Sequence, residues 1–326
     1  MLLPVYQPVY RPRSISATPQ TQAQRVEALV GNTPLLDLTR IMTTHGLPDT
    51  VRLYAKAEWF NPGGSIKDRP ALNIIRTAMR QGRLNHNKTI LDATSGNTGI
   101  AYALIGAAFG YRVKLVLPDS VSLERKKILR AYGAELIFTD PAEGADGAIR
   151  EVHRLKETDP TVFHADQYNN PANWQAHYKT TANEIWQQTG GTLTHFMTGM
   201  GTSGTFMGNT RRLRELNPAI RFVSIQPDIR QNQIEGIKHM ATEINPGIYD
   251  PALADENVTV STEAAQEMVR ELARTEGVFV GVSAGAAVTT AVRYAQENNL
   301  RKAVIVTVLP DNGFKYLSEP FWNGDS

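Results

Sequence analysis

The sequence predicts an α/β protein with two domains, each built on a mostly parallel sheet that helices cover. Three observations support this fold class. From about Gly31 onward, short β-rich runs alternate with amphipathic helical stretches, an order typical of parallel sheets. Several predicted strand-to-helix turns are rich in glycine, serine and threonine. The chain has 326 residues, enough for two domains of about 100–200 residues each.

The predicted strands are runs rich in β-branched and aromatic residues between turn residues. They cover residues 51–59, 88–94, 112–119, 134–140, 161–166, 194–200, 220–226, 278–282 and 302–310. Residues 122–133 and 261–277 are predicted helices, and the second begins near Ser261 and ends on Gly277. Residues 171–191 form a long helical segment that could lead from one sheet into the other.

The composition excludes several classes of function. The chain contains no cysteine, which excludes disulfides, cysteine-ligated metals and thiol nucleophiles. A formal net charge of +2 is too small to indicate a nucleic-acid or anionic-membrane partner. The longest apolar stretch, residues 99–111, is shorter than the roughly 20 residues that span a bilayer. We therefore expect a cytoplasmic protein with no membrane or nucleic-acid partner.

Residues 1–26 differ in composition from the remainder of the chain. They contain four prolines, three arginines and no acidic residue. The arginines follow the apolar start of this segment and prolines interrupt it, which makes a secretory signal a poor interpretation. A transit peptide is a weaker alternative. We predict an N-terminal arm that is flexible or wraps around a partner.

Three turns share the chemistry of an anion site. Residues 93–101, 198–208 and 281–288 are each rich in glycine, serine and threonine and each join a predicted strand to a helix. Such turns let the backbone approach a ligand and direct N–H groups and the helix dipole at an anion. Any one of them could be an ordinary tight turn, but together they predict a ligand with more than one anionic group.

Two familiar motifs occur in these turns without their usual context. Gly199, Gly201 and Gly204 fit the glycine pattern of a dinucleotide site, but Asp228 lies 29 residues after the first glycine, where about 20 is usual. The motif G-x-S-x-G around Ser283 fits a hydrolase nucleophile, which requires a histidine later in the chain. All seven histidines precede it. None of them has metal-ligand spacing, and we expect no bound metal.

Lys67 is the candidate nucleophile. It follows the turn Pro62-Gly63-Gly64, where the backbone and a ligand can approach closely. A lysine in a partly dry pocket loses its proton more easily and becomes nucleophilic. Because most single lysines are solvated surface groups, this interpretation depends on the neighbouring motifs.

Four motifs together resemble the pyridoxal-phosphate enzymes of fold type II, the tryptophan synthase β-like fold. They are NPGGSIKDR around Lys67, TSGNTG at 94–99, GTSGT at 201–205 and GVSAG at 281–285. The segments GNTPLL (31–36), AYGAEL (131–136) and EIWQQTGG (184–191) are similar to cysteine synthase, especially its B-type branch. The resemblance extends from about residue 27 to about residue 318. It implies pyridoxal 5'-phosphate as the cofactor and a homodimer.

The resemblance also implies a role for each matching residue. Lys67 would be the Schiff-base lysine, Asn97 would bond the ring hydroxyl oxygen, and Ser283 would face the pyridine nitrogen. The cofactor phosphate would be held by Gly201, Thr202, Ser203, Gly204 and Thr205. The substrate carboxylate would be held by Thr94, Ser95, Asn97, Thr98 and Gln167. The B-type pattern more often has threonine or glycine at the position of Ser203, and it lacks the 26-residue arm.

By the same resemblance, residues 226–240 border the substrate entrance. Some relatives that use phosphoserine carry an arginine there, and Arg230 lies close to that place. It could bind a substrate phosphate with its planar guanidinium. A solvated loop arginine is the alternative.

The activity implied by the resemblance is β-replacement on an activated serine. O-acetylserine or O-phosphoserine would react with sulfide or a related sulfur donor to give cysteine. Cystathionine β-synthase and serine or threonine dehydratase are alternatives, and a degenerate homologue that binds or regulates is a non-enzymatic one. The smaller domain would comprise residues 60–171, and the larger would combine 27–59 with 172–326.

Overall fold

The computed structural model of the chain describes residues 21–94 and 96–323. Within these residues the chain forms eleven α-helices and ten strands. The strands are β1 (Leu35–Asp37), β2 (Val51–Ala57), β3 (Thr89–Ala93), β4 (Arg112–Pro118), β5 (Glu135–Thr139), β6 (Val162–His164), β7 (His195–Gly199), β8 (Arg221–Pro227), β9 (Glu256–Val260) and β10 (Ala303–Leu309). The helices are α1 (Gln22–Leu29), α2 (Thr39–Thr44), α3 (Asp68–Arg80), α4 (Asn97–Phe109), α5 (Leu123–Ala131), α6 (Gly144–Thr158), α7 (Ala172–Lys179), α8 (Thr181–Gln188), α9 (Gly204–Leu216), α10 (Thr262–Glu271) and α11 (Val282–Glu297).

The strands form two sheets. The six-stranded sheet has the order β1-β2-β10-β7-β8-β9, and the four-stranded sheet has the order β5-β4-β3-β6. The pair β1 and β2 is antiparallel. All other neighbouring strands run parallel. The predicted fold class, α/β with mostly parallel sheets, is therefore confirmed.

Alternating side chains of the central strands bury both faces of each sheet. In β4, Leu115 packs with Ile105 of α4, whereas the next residue, Val116, packs with Val152 of α6 on the opposite face. The six-stranded sheet packs likewise on α11 across one face and on α9 across the other. This arrangement explains why most of these strands have nearly continuous apolar sequences.

One predicted strand is wrong, and two strands were not predicted. Residues 278–282 form only an isolated bridge between Val280 and Asn312, and α11 already begins at Val282. The missed strands β1 and β9 are the two edges of the six-stranded sheet. Edge strands are short and half exposed, so they lack the apolar run that identifies a buried strand.

The long predicted helices are interrupted. Residues 171–191 form α7 and α8, separated at Thr180, whose ψ of −76° departs from helical values. The helix predicted over 261–277 ends as α10 at Glu271 and continues as a wider π-helical turn through Glu276.

Helix α1 begins at Gln22, inside the predicted N-terminal arm. Thr21 caps it by accepting a hydrogen bond from the Gln24 N–H, and Glu27 forms an ion pair with Arg76 of α3. Residues 1–20 of the arm lie outside the described residues. None of the helices from residue 21 to 323 has the length and apolar character needed to cross a membrane.

Candidate active site

Seven of the residues singled out in the sequence line one cavity where turns of both sheets meet. They are Lys67, Asn97, Gly201, Thr202, Ser203, Thr205 and Ser283. The turn before α4 follows β3, and the turn before α9 follows β7. Ligands in parallel α/β sheets bind at these carboxyl ends of strands. Ser283 instead enters from the first turn of α11.

Lys67 lies immediately before α3 and is partly buried. Its N–H donates to Ser65 Oγ over 3.2 Å, and Gly64 provides the positive φ of 75° that the turn requires. Burial lowers the pKa of the Lys67 amine, the charge of Lys315 lowers it further, and Asp311 opposes both effects. Burial therefore favours the uncharged, nucleophilic form of this amine.

The anion-binding chemistry predicted for residues 201–205 has a clear structural basis. Helix α9 begins at Gly204 and is 13 residues long, and Ser203 adopts a left-handed conformation with φ of 63° just before it. The buried Ser203 hydroxyl lacks a hydrogen-bond partner within the described chain. A Cβ on Gly201 would collide with the Gly236 carbonyl. The turn thus directs a free hydroxyl and helix N–H groups at one small volume.

Two further residues of this turn contact its supporting helix. Thr202 Oγ1 accepts a hydrogen bond from Asn173 Nδ2 over 3.0 Å. The Thr205 hydroxyl lies 3.5 Å from Nε2 of the buried His177. These contacts hold the turn against α7.

The turn before α4 is tied together by one hydroxyl. Thr94 Oγ1 accepts hydrogen bonds from the N–H groups of Gly96 and Gly99, both over 3.0 Å. A Cβ on Gly96 would collide with the side chain of Arg125. Ser95 lies outside the described residues.

Thr98 and Gln167 lie together at the start of α4. The Thr98 hydroxyl donates to Gln167 Oε1 over 2.8 Å, and Gln167 Nε2 donates to the Ala93 carbonyl. Both side chains are buried. The structure therefore groups Thr94, Thr98 and Gln167 beside the cavity that Asn97 lines.

Three residues of the site were missed in the sequence: Asp311, Lys315 and Tyr316. Asn97 Nδ2 donates to Asp311 Oδ2 over 2.7 Å, and Lys315 Nζ donates to Asn97 Oδ1 over 2.8 Å. Tyr316 donates to the same carboxylate oxygen of Asp311 over 2.9 Å. Their position after the last strand was the available signal, because parallel strand ends gather at one edge.

A cleft of about 740 Å³ lies outside the cavity and shares the lining residues Glu235, Gly236 and Ile237 with it. Arg230 lines this cleft and does not reach the inner cavity. Its side chain is 61% exposed, and Nη2 lies 3.9 Å from Asp146 Oδ2.

Other cations near the cleft are also paired. Lys238 Nζ lies 3.4 Å from carboxylate oxygens of both Asp146 and Glu243. Arg125 forms an ion pair with Glu235 and stacks over the Tyr316 ring, with its guanidinium carbon 4.6 Å from the ring centre. Each of these three cations thus lies within 4.0 Å of a carboxylate.

Comparisons with known proteins identify the family of the chain. The model of the family described as "Pyridoxal-phosphate dependent enzyme" matches residues 26–311. The chain is 49% identical over 293 residues to the cysteine synthase of Aquifex aeolicus (strain VF5), covering 89% of each chain. It is 44% identical to cysteine synthase B of Escherichia coli (strain K12), covering 90% of this chain and 94% of the relative.

The chain belongs to the cysteine synthase family of pyridoxal-phosphate dependent enzymes. A solved cysteine synthase (OASS) from Entamoeba histolytica superposes with a TM-score of 0.86 at 34% identity, covering 98% of this chain and 95% of that one. The predicted family and cofactor are therefore confirmed.

The residues present fit pyridoxal phosphate, the cofactor of this cysteine synthase family. The buried Ser203 hydroxyl has no partner among the described residues and stands at the N-terminus of α9, a suitable place for the phosphate. Lys67 lines the same cavity and makes no side-chain hydrogen bond or ion pair to any described residue. Its amine is free to bond an aldehyde carbon.

Proposed function

We propose that this enzyme makes L-cysteine by β-replacement on an activated L-serine, with sulfide or a related sulfur donor as the nucleophile. The observation that carries this proposal is the shared cavity of Lys67 and the anion-binding turn before α9. The cysteine synthases at 44–49% identity support the reaction type.

Lys67 is the proposed proton carrier. Bound pyridoxal phosphate supplies an electron sink for the pair left when a substrate Cα–H bond breaks. The Lys67 amine would take that proton and return it to Cα after the sulfur has added at Cβ. This role requires the uncharged amine, which burial favours by lowering the pKa of Lys67.

The remaining cavity residues orient the cofactor in this proposal. The turn from Gly201 to Thr205 holds the phosphate, Asn97 bonds the ring hydroxyl oxygen, and Ser283 faces the pyridine nitrogen. A serine hydroxyl does not enforce protonation of that nitrogen as a carboxylate would. This favours elimination at Cβ over transamination.

The substrate carboxylate would be held at the start of α4. The residues proposed for this are Thr94, Ser95, Asn97, Thr98 and Gln167. The helix N-terminus favours a negative charge there. The hydrogen bond from Thr98 to Gln167 keeps both side chains oriented towards each other at this end.

The cleft favours a donor whose ester group is uncharged before it leaves, such as O-acetylserine. Arg230 is exposed and faces Asp146, which supports its interpretation as a solvated loop residue. Lys238 and Arg125 are paired with carboxylates. A phosphate dianion would have to separate one of these pairs and remain next to the released carboxylate.

We also propose that the protein is a cytoplasmic homodimer. A surface groove of about 580 Å³ between α1, α3 and α7 exposes the apolar side chains of Val30, Leu72 and Met79, which is the kind of surface that a second copy could cover. Sedimentation at several concentrations tests the dimer.

We further propose a smaller domain of residues 60–171, since all strands of the four-stranded sheet lie within it.

A substrate panel tests the proposed activity. The purified holoenzyme is supplied with O-acetylserine, O-phosphoserine or serine, together with either sulfide or homocysteine, and the formation of cysteine, cystathionine and pyruvate is measured. We expect cysteine from O-acetylserine. Cystathionine from serine and homocysteine as the main product, or pyruvate without sulfur transfer, would instead identify one of the alternative enzymes. No turnover in any assay by a cofactor-loaded protein would favour the degenerate homologue.

A further inference from the structure

Lys315 is a second buried lysine at the candidate site. Its side chain is only 6% exposed, and no carboxylate lies within 4.0 Å of its ammonium among residues 21–94 and 96–323. The ammonium instead donates to three oxygens: Asn97 Oδ1 over 2.8 Å, the Gly64 carbonyl over 3.0 Å and the Gly63 carbonyl over 3.4 Å. Burying an ammonium without a carboxylate partner costs free energy, which its hydrogen bonds must offset.

These contacts fix the orientation of the Asn97 amide. Lys315 has only hydrogens to donate, so it requires the amide oxygen, and the Asp311 carboxylate requires the amide nitrogen. Asn97 Nδ2 donates to Asp311 Oδ2 over 2.7 Å. The two partners carry opposite charges. Reversing the amide would place its NH2 group against the Lys315 ammonium and its oxygen against the Asp311 carboxylate, and neither pair could form a hydrogen bond.

Lys315 also connects Asn97 to the turn that carries Lys67. Gly63 and Gly64, whose carbonyls accept from Lys315, lie within four residues of Lys67 in the chain. The charge of Lys315 acts on Lys67 in the direction that disfavours a second positive charge, and Asp311 acts in the opposite direction. Lys315 and Asp311 therefore both act on the same two residues of the site, Asn97 and Lys67.

Other charged or titratable groups also surround Lys67 and Lys315. Lys67 also faces the buried His177, whose pKa burial lowers well below its usual value. Lys315 faces Asp311, Asp68, Arg125 and Glu235. Burial is the largest influence on Lys315 itself and lowers its pKa.

We propose that Lys315 is a positioning residue that sets the orientation of the Asn97 amide and places its ammonium against the turn that carries Lys67. The first effect presents the amide in one orientation to the cofactor ring. The second disfavours another positive charge on Lys67 and partly offsets the opposing effect of Asp311. This inference rests on the proposed roles of Lys67 and Asn97. Its tests distinguish a failure of the inference from a failure of the proposed function.

The first test titrates Lys67 directly. The full-length chain, freed of cofactor, is labelled with trace acetic anhydride across a pH series, and modification of the Lys67 peptide is quantified by mass spectrometry. Lys315→Met should raise the apparent pKa of Lys67, and Asp311→Asn should lower it, because a nearby like charge disfavours the protonated amine and an opposite charge favours it. Lys56→Met removes another buried ammonium and should leave it unchanged.

The opposite signs distinguish positioning from general damage to the fold. If Lys315→Met does not fold, Lys315→Gln replaces it with the same expected shift. An unchanged titration in the Lys315 variants, or a shift in the same direction as Asp311→Asn, would overturn the inference. This result does not depend on turnover, so absence of cysteine synthesis would contradict the proposed function alone.

The second test concerns the Asn97 amide. The dissociation constant of pyridoxal phosphate is measured by fluorescence for Asn97→Ala, Lys315→Met and the double variant. If Lys315 acts through Asn97, the double variant should bind the cofactor no more weakly than Asn97→Ala does. Losses that multiply in the double variant would show that Lys315 does not act through this amide.

Discussion

Asn97 donates an amide hydrogen to the carboxylate of Asp311 over 2.7 Å. This bond joins the first residue of α4, a helix that packs on the four-stranded sheet, to the segment after β10 of the six-stranded sheet. Asp311 is fully buried. The candidate site is therefore assembled across both sheets, and its stability and its chemistry depend on the same few side chains.

Asp68 should make stability depend on pH. Burial raises the pKa of its carboxyl from 3.8 to about 7, and one oxygen accepts the Gly63 N–H over 2.5 Å. Because the folded-state pKa is above the unfolded value, the stabilisation present below pH 4 is lost as pH rises through 7. The loss is about 4 kcal/mol at most.

The variant Asp68→Asn keeps the acceptor and removes the charge. Its free energy of unfolding, measured with urea at pH 5 and pH 8, should fall less between these values than that of the wild type. Asp49→Asn, at an exposed position, is the control and should keep the wild-type slope. An unchanged slope in Asp68→Asn would show that Asp68 ionises normally in the folded protein.

Ser203→Ala should weaken cofactor binding selectively. The buried Ser203 hydroxyl lacks a partner in the described part of the chain, so its removal should not destabilise the cofactor-free protein. A lost hydrogen bond to a charged phosphate corresponds to about 1.5–3 kcal/mol. The dissociation constant of pyridoxal phosphate should therefore rise about tenfold to a hundredfold in a fluorescence titration.

The matched control is Thr210→Val. Thr210 carries another buried hydroxyl without a described partner, farther along α9, and its loss should leave cofactor affinity unchanged. Equal affinities for Ser203→Ala and the wild type would place the phosphate elsewhere.

Gln167→Leu should affect the amino-acid substrate more than the cofactor. It removes the acceptor of the Thr98 hydroxyl and leaves that buried group unpaired, at a cost of about 1–3 kcal/mol. We expect KM for O-acetylserine to rise about tenfold in steady-state assays while the cofactor absorbance is retained. The exposed Gln187→Leu is the control, and loss of cofactor without a change in KM would assign Gln167 to the other ligand.

Arg230→Ala should have a small and equal effect on both candidate donors. Its side chain is 61% exposed, and its contact with Asp146 is 3.9 Å long, so the pair contributes about 0–1 kcal/mol. We expect kcat/KM to change less than about fivefold for O-acetylserine and for O-phosphoserine alike. A loss of tenfold or more for O-phosphoserine alone would restore Arg230 as a phosphate-binding residue.

The sequence predicted the cavity better than the network that supports it. The turns at 94–99 and 201–205 could be found because glycine-rich turns are local patterns, whereas the roles of Lys67 and Asn97 were inferred from the family resemblance of these motifs taken together. Asp311 and Lys315 belong to no such pattern, and their importance arises only when β10 brings them to Asn97. Arg230 was considered because the resemblance places residues 226–240 at the substrate entrance, but its pairing with Asp146 depends on tertiary contacts that no local pattern encodes.

The same distinction applies to the fold. Buried parallel strands such as β4 have apolar sequences that identify them, whereas the edge strands β1 and β9 depend on a neighbour for their existence. Residues 278–282 have a strand-like composition. They nevertheless form only the isolated bridge between Val280 and Asn312, because a strand needs a neighbour to pair with along its length, and α11 already begins at Val282.

The central claim is that Lys67 holds the cofactor and moves the substrate proton. Lys67→Ala should remain folded, because its amine makes no hydrogen bond or ion pair to the rest of the described chain, and its turnover should be abolished. Normal turnover in this variant would contradict the claim.

The most direct measurement is borohydride reduction of the holoenzyme followed by peptide mass spectrometry. The account predicts that the reduced cofactor is attached to the peptide containing Lys67 and to no other. The neighbouring Lys315 and the buried Lys56 serve as internal comparisons in the same digest. Attachment at Lys315, at any other lysine, or at none would contradict the account.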